Sequence, residues 1–418
     1  MTAGCSRGWG SSRCTRRRSG RVGRCRIFRL SFPALSLHAE LAAALAAREE
    51  QGLRRTRRLL ASPQRARVSV DGRDYIAFCS NDYLGLAADP RLAAAAKTGI
   101  DRYGVGAGAS HLILGHSAAH HELEDALAAF VRQPRALLFS TGYMANLGAV
   151  SALAGRGDAV FADRLNHASL NDAALVSRAA FKRYAHGDLE ALERLLKATP
   201  ARRRLVITDA VFSMDGDLAP VPALLELCAR HDAYLLVDDA HGFGVLGTQG
   251  RGTLAHFGID SERVIYMATL GKAAGVAGAF IAGSAALIDT LVETARPYIY
   301  TTATPPLLAH ALLTSLVLIE QEEWRRKRLR ELIRVLKQEL AGSPWRLLPS
   351  DTPIQPLLVG GNTEALALSE RLAAQGLLVP AIRPPTVPPG TARLRISLSA
   401  DHSVADVARL IAALLQPA

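Results

Sequence analysis

The sequence predicts an α/β fold with a large domain built on a mainly parallel sheet and a smaller α+β domain after it. Short apolar runs alternate with helical segments between about residues 100 and 285, a pattern typical of parallel sheets with helices on both faces. The apolar run 233–237 ends in Asp238 and Asp239, as a buried strand does when it brings acids to the ligand-binding edge of a sheet. A chain of 418 residues, 49% of them hydrophobic, can form two or three domains.

The positive charge is concentrated at the N-terminus. The formal net charge is +12, yet residues 1–39 hold nine Arg, no Lys and no acid, which leaves +3 for the rest of the chain. We interpret residues 1–34 as a disordered basic extension or a misassigned start. A transit peptide and a basic nucleic-acid-binding arm are the alternatives. The remaining sequence has no basic stripe, and we predict no nucleic-acid partner.

The cysteines and the hydropathy pattern favour a cytoplasmic protein. Two cysteines, Cys79 and Cys228, lie outside the extension, and they have neither metal-ligand nor disulfide-framework spacing. We therefore predict a reducing compartment and no metal site. The longest stretch without a charged residue, 297–319, is interrupted by polar residues and prolines, so no membrane span is predicted.

The elements are predicted in the following order. Residues 35–78 contain a helix from 35 to about 60 and a small hairpin from 68 to 78. The large domain covers 79–306. A linker helix over 307–340 begins the C-terminal region 307–418, which contains strands at 354–359 and 392–398 and helices at 364–375 and 404–415.

Polar side chains follow successive strands of the large domain. Gly142 and Tyr143 lie between a strand and a helix, where free backbone N–H groups make an anion site. His167 and Ser213 follow the next two strand candidates, and Thr269 and Lys272 close a later one. Each feature alone is equally compatible with a helix cap or an ordinary turn. Together they predict one crevice.

An acid and a lysine in that crevice suit an aromatic cofactor that has a basic ring nitrogen and an aldehyde. Asp238 would keep the ring nitrogen protonated, and Lys272 would bond the aldehyde. Pyridoxal 5'-phosphate (PLP) is such a molecule. Separately, four prolines stiffen the loop 384–389, so Arg383 beside it could clamp a carboxylate.

Four motifs resemble those of the α-oxoamine synthases, which are PLP enzymes of fold type I. They are S-N-D-Y-L-G at 80–85, V-F-S-M-D-G-D at 211–217, D-D-A-H-G-F-G at 238–244 and T-L-G-K-A at 269–273. The resemblance covers roughly residues 35–416. One segment departs from the family pattern: G-A-G-A-S at 106–110, followed by His111 and His116, stands where the family has nearly G-S-G-G-S.

The resemblance implies a role for each matching residue. Lys272, His167 and Asp238 would be catalytic. His241 and Ser213 would contact the phenolic oxygen of the cofactor. Gly142, Tyr143 and Thr269 would hold its phosphate, joined by Thr301 and Thr302 from a second subunit of a homodimer. The residues implied for substrate binding are Arg54, Asn81, His167, Arg383 and Thr386.

The proline-rich segment 381–395 and L-N-H-A-S-L at 165–170 favour one reaction within this family. It is the condensation of L-alanine with 6-carboxyhexanoyl-CoA, or the same acyl group on acyl-carrier protein, with loss of CO2 in biotin biosynthesis. The alternatives are glycine C-acetyltransferase and 5-aminolevulinate synthase activities. A basic-tailed nucleic-acid-binding protein is the rival from another class.

Overall fold

A computed structural model describes residues 36–416, so the predictions made for residues 1–34 lie outside it. The helices are α1 Ser36–Glu50, α2 Pro90–Tyr103, α3 Ala118–Phe130, α4 Gly142–Leu153, α5 Ala168–Ser177, α6 Leu189–Ala198, α7 Val221–Arg230, α8 Thr253–Phe257, α9 Ala285–Thr294, α10 Arg296–Ile299, α11 Pro306–Gln321, α12 Glu323–Glu339, α13 Asn362–Ala374 and α14 Val404–Leu415. A single π-helical turn, His111–Gly115, precedes α3, and a 3₁₀ turn, Thr248–Gly250, precedes α8.

The strands are β1 Arg67–Val70, β2 Arg73–Ala77, β3 Arg135–Phe139, β4 Ala159–Asp163, β5 Ala180–Tyr184, β6 Arg204–Asp209, β7 Ala233–Asp238, β8 Val264–Thr269, β9 Ala279–Gly283, β10 Arg346–Leu347, β11 Ile354–Gly360, β12 Leu377–Leu378, β13 Ala381–Ile382 and β14 Ala392–Ser397.

Helix α1 is shorter than predicted. It ends at Glu50 rather than near residue 60, because Gly52 adopts φ +62° and the Leu53 N–H turns back to the carbonyl of Arg48. A glycine in this left-handed conformation is a common way to end a helix. Helix α1 belongs to an N-terminal unit that reaches Arg57, and the residues from Arg58 onward form a second compact unit.

The second unit is built on a seven-stranded sheet in the order β3-β9-β8-β7-β6-β4-β5. Strand β9 runs antiparallel to both of its neighbours, and the other pairs are parallel. The prediction of a mainly parallel sheet is therefore confirmed. The shared direction brings the carboxyl ends of β4, β6, β7 and β8 to one edge.

Helices cover both faces of this sheet because alternate strand residues point to opposite sides. In β7, Leu235 and Val237 pack into one hydrophobic cluster, while Leu236 packs into the other. All three side chains are fully buried. The strands therefore form a rigid central layer, and the polar groups at their ends are held in fixed positions.

The C-terminal region contains a four-stranded antiparallel sheet in the order β10-β11-β14-β13. Strand β12 instead pairs in parallel with β2, so the N-terminal hairpin and the C-terminal region share a sheet. The prediction of one linker helix over 307–340 is wrong. The chain breaks at Glu322, whose backbone is not helical and whose carboxylate accepts hydrogen bonds from Arg91 and Arg325. No helix of the described region is long and apolar enough to cross a membrane.

Candidate active site

The predicted strand ends meet at one cavity of about 200 Å³. Eight of its lining residues are ones that the sequence singled out: Gly142, Tyr143, His167, Ser213, Asp238, His241, Thr269 and Lys272. Four more were not predicted: Ser169, Asp209, Ala240 and Met267. The elements that contribute these residues run from α4 to the loop after β8, so the site forms only when β4, β6, β7 and β8 lie side by side.

Asp238 occupies the carboxyl end of β7 and is only 4% exposed. The Asn146 amide donates to its Oδ2 at 2.7 Å, and the backbone N–H of Ala240 donates to its Oδ1 at 3.0 Å. Donors on both oxygens hold the carboxylate in a fixed position. A buried carboxylate fixed at the end of a strand is suited to holding a proton on the nitrogen of a bound heteroaromatic ring.

A chain of hydrogen bonds links Asp238 to His167. The Asn146 amide also donates to Ser169 Oγ at 2.9 Å, and that hydroxyl lies 2.7 Å from His167 Nδ1. His167 caps α5, where its Nδ1 accepts from the Ser169 N–H. These contacts place the ring proton on Nε2. Loss of solvation lowers the pKa of His167, so the ring is neutral at pH 7 and can stack on a flat cofactor.

Lys272 follows β8, and its Nζ lies 2.9 Å from His241 Nε2. Burial is the main cause that lowers the pKa of Lys272 to about 8, while the Asp238 and Asp209 charges oppose the shift. Burial and the Lys272 charge also hold the pKa of His241 well below its ordinary value. A lysine that loses its proton this easily can act as a nucleophile or as a base near neutral pH.

The sequence predicts a phosphate site at the N-terminus of α4. Thr141 caps this helix, and a Cβ added to Gly142 would lie 3.1 Å from Met267 Cε and 3.8 Å from Thr269 Cβ. A glycine therefore keeps the space between the helix and β8 open. Thr269 Oγ1 donates to the carbonyl of Gly278, which fixes the hydroxyl beside this opening. Backbone N–H groups and the helix dipole favour a phosphate there.

The donor set fits PLP. Asp238 would hold the ring nitrogen, Lys272 the aldehyde carbon, His167 the face of the ring and the N-terminus of α4 the phosphate. These groups are an acid, an amine, a neutral imidazole and a helix N-terminus, and all of them line the same cavity. The assignment of each residue to a part of the cofactor remains a prediction.

Five predicted residues lie elsewhere in the second unit and do not line this cavity. Thr302 pairs with Ser110 across an isolated bridge, and Thr301 is its neighbour. The Thr386 N–H closes a turn onto the carbonyl of Arg383. Asn81 accepts hydrogen bonds from Tyr83 and Arg395. Their predicted roles stay predictions.

Arg54 lies in the N-terminal unit, where it forms an exposed ion pair with Glu49. Its predicted contact with substrate also stays a prediction.

Sequence reasoning missed Asn146, Ser169, Asp209, Tyr83 and Arg395. Asp209 ends β6 as Asp238 ends β7, and that pattern could have indicated it. Tyr83 lies within a recognised motif, and its hydroxyl is 2.6 Å from His241 Nδ1. No sequence pattern indicated Asn146, because its hydrogen-bond partner Asp238 is 92 residues away along the chain. Arg395 lies on a buried strand, where a cation is unexpected.

The fold and the residues of this site are those of a fold type I PLP enzyme. Residues 73–414 match the model of the family "Aminotransferase class I and II". A curated 8-amino-7-oxononanoate synthase from Nitrosospira multiformis is 66% identical over 370 residues, which are 88% of this chain and 93% of that protein. The chain therefore belongs to the 8-amino-7-oxononanoate synthase family.

Solved structures agree with this assignment. A serine palmitoyltransferase variant from S. paucimobilis, with a bound PLP-myriocin aldimine, is 30% identical and superimposes with a TM-score of 0.85, covering 91% of this chain and 97% of that one. An 8-amino-7-oxononanoate synthase from Francisella tularensis is 31% identical with a TM-score of 0.71, covering 81% and 96% of the two chains. The predicted family is confirmed.

Proposed function

We propose that the protein condenses L-alanine with a 6-carboxyhexanoyl thioester to give 8-amino-7-oxononanoate, CO2 and the free thiol, with PLP as cofactor. The observation that carries this proposal is the meeting of Lys272, His241, His167 and Asp238 at one cavity. The chain's relatives named for this product support the choice of substrates.

In the balanced reaction, alanine loses its Cα proton and its Cα bonds to the carbonyl carbon of the thioester. The thiol leaves with a proton, the carboxyl group departs as CO2, and the carbon takes up a proton. When bound, PLP supplies an electron sink for the charge that develops at Cα. The buried Asp238 carboxylate maintains that sink by holding the ring nitrogen protonated.

Lys272 is the base that accepts the Cα proton. With a pKa of about 8, its amine exchanges a proton near neutral pH without a large energetic penalty. His241 lies 2.9 Å from that amine and positions it. The neutral His167 forms one wall of the site, and its Nε2–H is available as a donor to substrate.

We propose Arg395 as the partner of the alanine carboxylate, alongside the sequence-based candidate Arg383. Arg395 is 6% exposed, and its Nε donates to the carbonyl of Ser213 at 2.6 Å. Its charge contributes to lowering the pKa of both His241 and Lys272, so it lies close to the reacting groups. A guanidinium fixed in this way matches a carboxylate bidentately.

The homodimer, the contribution of Thr301 and Thr302 to a neighbouring site, and the cytoplasmic location are further proposals. The first two rest on the resemblance of the motifs to the α-oxoamine synthases, and the location rests on the cysteine usage and the hydropathy pattern. Sedimentation or light scattering of the purified protein tests the dimer.

A substrate matrix tests the reaction. The purified enzyme is assayed with L-alanine, glycine and L-serine against 6-carboxyhexanoyl-CoA, acetyl-CoA, succinyl-CoA and palmitoyl-CoA, and products are measured by mass. We expect 8-amino-7-oxononanoate from the first pair at the highest kcat/KM. A clear preference for glycine with acetyl-CoA would overturn the assignment, and a preference for the carrier-protein thioester over CoA would define the natural donor.

A further inference from the structure

Four of the chain's twelve histidines lie within eleven residues: His111 and His116 just before α3, and His120 and His121 in its first turn. Their rings pack together, with centroids 5.0 to 5.8 Å apart for the contacting pairs. None of the four lines the active-site cavity. This histidine cluster includes the departure from the family motif, and the proposed reaction gives it no role.

Two overlapping sets in this cluster bring three ligand atoms within 4.8 Å of one another: His111, His116 and His120, or His116, His121 and Glu124. His120 is already engaged on both nitrogens. Its Nδ1 accepts from the Ser117 N–H at 3.1 Å, and its Nε2 lies 2.9 Å from the carbonyl of Thr304. Binding a metal through His120 would break one of these bonds, so the first set is disfavoured.

The second set has its ligand atoms available. His116 Nε2 lies 3.9 Å from Glu124 Oε2, with the Glu124 side chain only 12% exposed. His121 is exposed, and its only described ion-pair contact is the weak one to Asp125 at 3.8 Å. His121 and Glu124 are three residues apart on α3, so they lie on the same face of the helix.

Neighbouring groups orient these ligands. The other oxygen of Glu124 accepts from the backbone N–H of Leu138 at 2.9 Å, which ties the carboxylate to β3. His116 Nδ1 lies 3.1 Å from His111 Nδ1. A metal on His116 Nε2 keeps the proton on its Nδ1, which then donates to His111. Outer contacts of this kind fix the tautomer of a metal-binding histidine.

We propose that His116, His121 and Glu124 bind a divalent transition-metal ion of the zinc class. Two imidazole nitrogens and one carboxylate oxygen form a typical ligand set for Zn²⁺, with water in the fourth position. Metal–ligand bonds of about 2.0–2.2 Å require the atoms to approach more closely than 4.8 Å, and the exposed His121 side chain can make this movement. The bound ion ties His116, which follows the G-A-G-A-S segment at 106–110, to α3.

In the test, Zn²⁺ is added to the full-length, untagged holoenzyme. Calorimetry measures the binding, and metal analysis after gel filtration measures the Zn²⁺ retained per chain. We expect about one Zn²⁺ per chain and a higher midpoint of thermal unfolding with the ion. Co²⁺ in place of Zn²⁺ should give visible d–d bands between the absorption of PLP and the near infrared. His121→Asn and Glu124→Gln should each weaken binding by at least about tenfold, the lower end of the loss seen even for outer contacts.

The matched control is His256→Asn, which removes an exposed histidine of α8 and should leave binding unchanged. His121 is exposed, so its replacement tests the site without disturbing the fold. The proposal is overturned if the wild type retains no Zn²⁺, or if His121→Asn and Glu124→Gln bind as tightly as the wild type. Loss of binding in His120→Asn but not in His121→Asn would overturn the assigned ligand set.

Discussion

The amine of Lys272 lies 2.9 Å from Nε2 of His241. The other nitrogen of the same imidazole lies 2.6 Å from the Tyr83 hydroxyl, which in turn donates to Asn81 at 3.2 Å. When Lys272 is protonated, it donates to His241 Nε2, and the imidazole proton lies on Nδ1 and is donated to Tyr83. This chain of hydrogen bonds therefore holds the protonated amine in one position.

The first prediction concerns the pH dependence of cofactor uptake. Because only the neutral amine is a nucleophile and the pKa of Lys272 is about 8, the rate at which the cofactor-free protein takes up PLP should rise about tenfold per pH unit below pH 8 and level off above it. Stopped-flow absorbance follows the reaction. A rate that keeps rising to pH 10 would mean that Lys272 keeps the ordinary lysine pKa.

Replacing Lys272 by Ala should abolish turnover and the visible absorption of the purified protein. The reason is that no other lysine among residues 36–416 lines the cavity. Lys97→Ala is the matched control, because this lysine is exposed on α2, and it should retain both properties. Steady-state assays and a visible spectrum distinguish the two variants. Substantial activity in Lys272→Ala would show that the wrong lysine has been assigned.

The residues at strand ends were predictable because a parallel sheet brings the end of every strand to one edge. That rule and the order of the strands in the chain were enough to predict the positions of Asp238, His167, Ser213 and Lys272. Asn146 and Arg395 could not be found in the same way, since their roles depend on side-chain contacts across 92 and 314 residues. The predicted helix ends were wrong for a local reason. The sequence pattern is continuously helical, but the backbone leaves the helical conformation at Gly52 and at Glu322.

Asn146 provides a test of the network behind Asp238. Asn146→Ala removes the donor to Asp238 Oδ2 and leaves a buried carboxylate oxygen without that bond, a loss of about 1–3 kcal/mol. We expect kcat to fall by about 10- to 100-fold while PLP stays bound. Ser151→Ala on the same helix, where the hydroxyl bonds only to helix carbonyls, should leave kcat unchanged. An unaltered kcat in Asn146→Ala would show that catalysis does not depend on the hydrogen bonds behind Asp238.

The two candidate carboxylate partners can be compared by replacing each with Lys. Lysine keeps the charge but loses the bidentate geometry. Arg395→Lys should raise the KM for L-alanine at least about tenfold, a loss of about 1.4 kcal/mol, with a smaller effect for Arg383→Lys. The KM for the thioester serves as the internal control and should change little. A larger effect in Arg383→Lys would favour the sequence-based candidate instead.

His186 should make the stability of the protein depend on pH. Its two ring nitrogens lie 3.1 Å from Asp163 and 2.9 Å from Asp217. Hydrogen bonds to Asp163 and then to Asp217 raise the pKa of His186 to about 10, whereas an unfolded histidine titrates near pH 6.5. The protonated ring thus joins the end of β4 to the segment that carries Ser213.

Because the folded-state pKa is the higher one, the stabilisation is complete below about pH 6.5 and is lost as the pH rises towards 10. The free energy of unfolding of the wild type should therefore exceed that of His186→Asn most clearly at pH 6, by roughly 1 kcal/mol since the pair is partly exposed, and the two should converge near pH 10. Urea titrations at pH 6, 8 and 10 measure the difference, with His256→Asn as the control. A difference that stays constant across this range would mean that His186 acts through packing on Phe212 rather than through its charge.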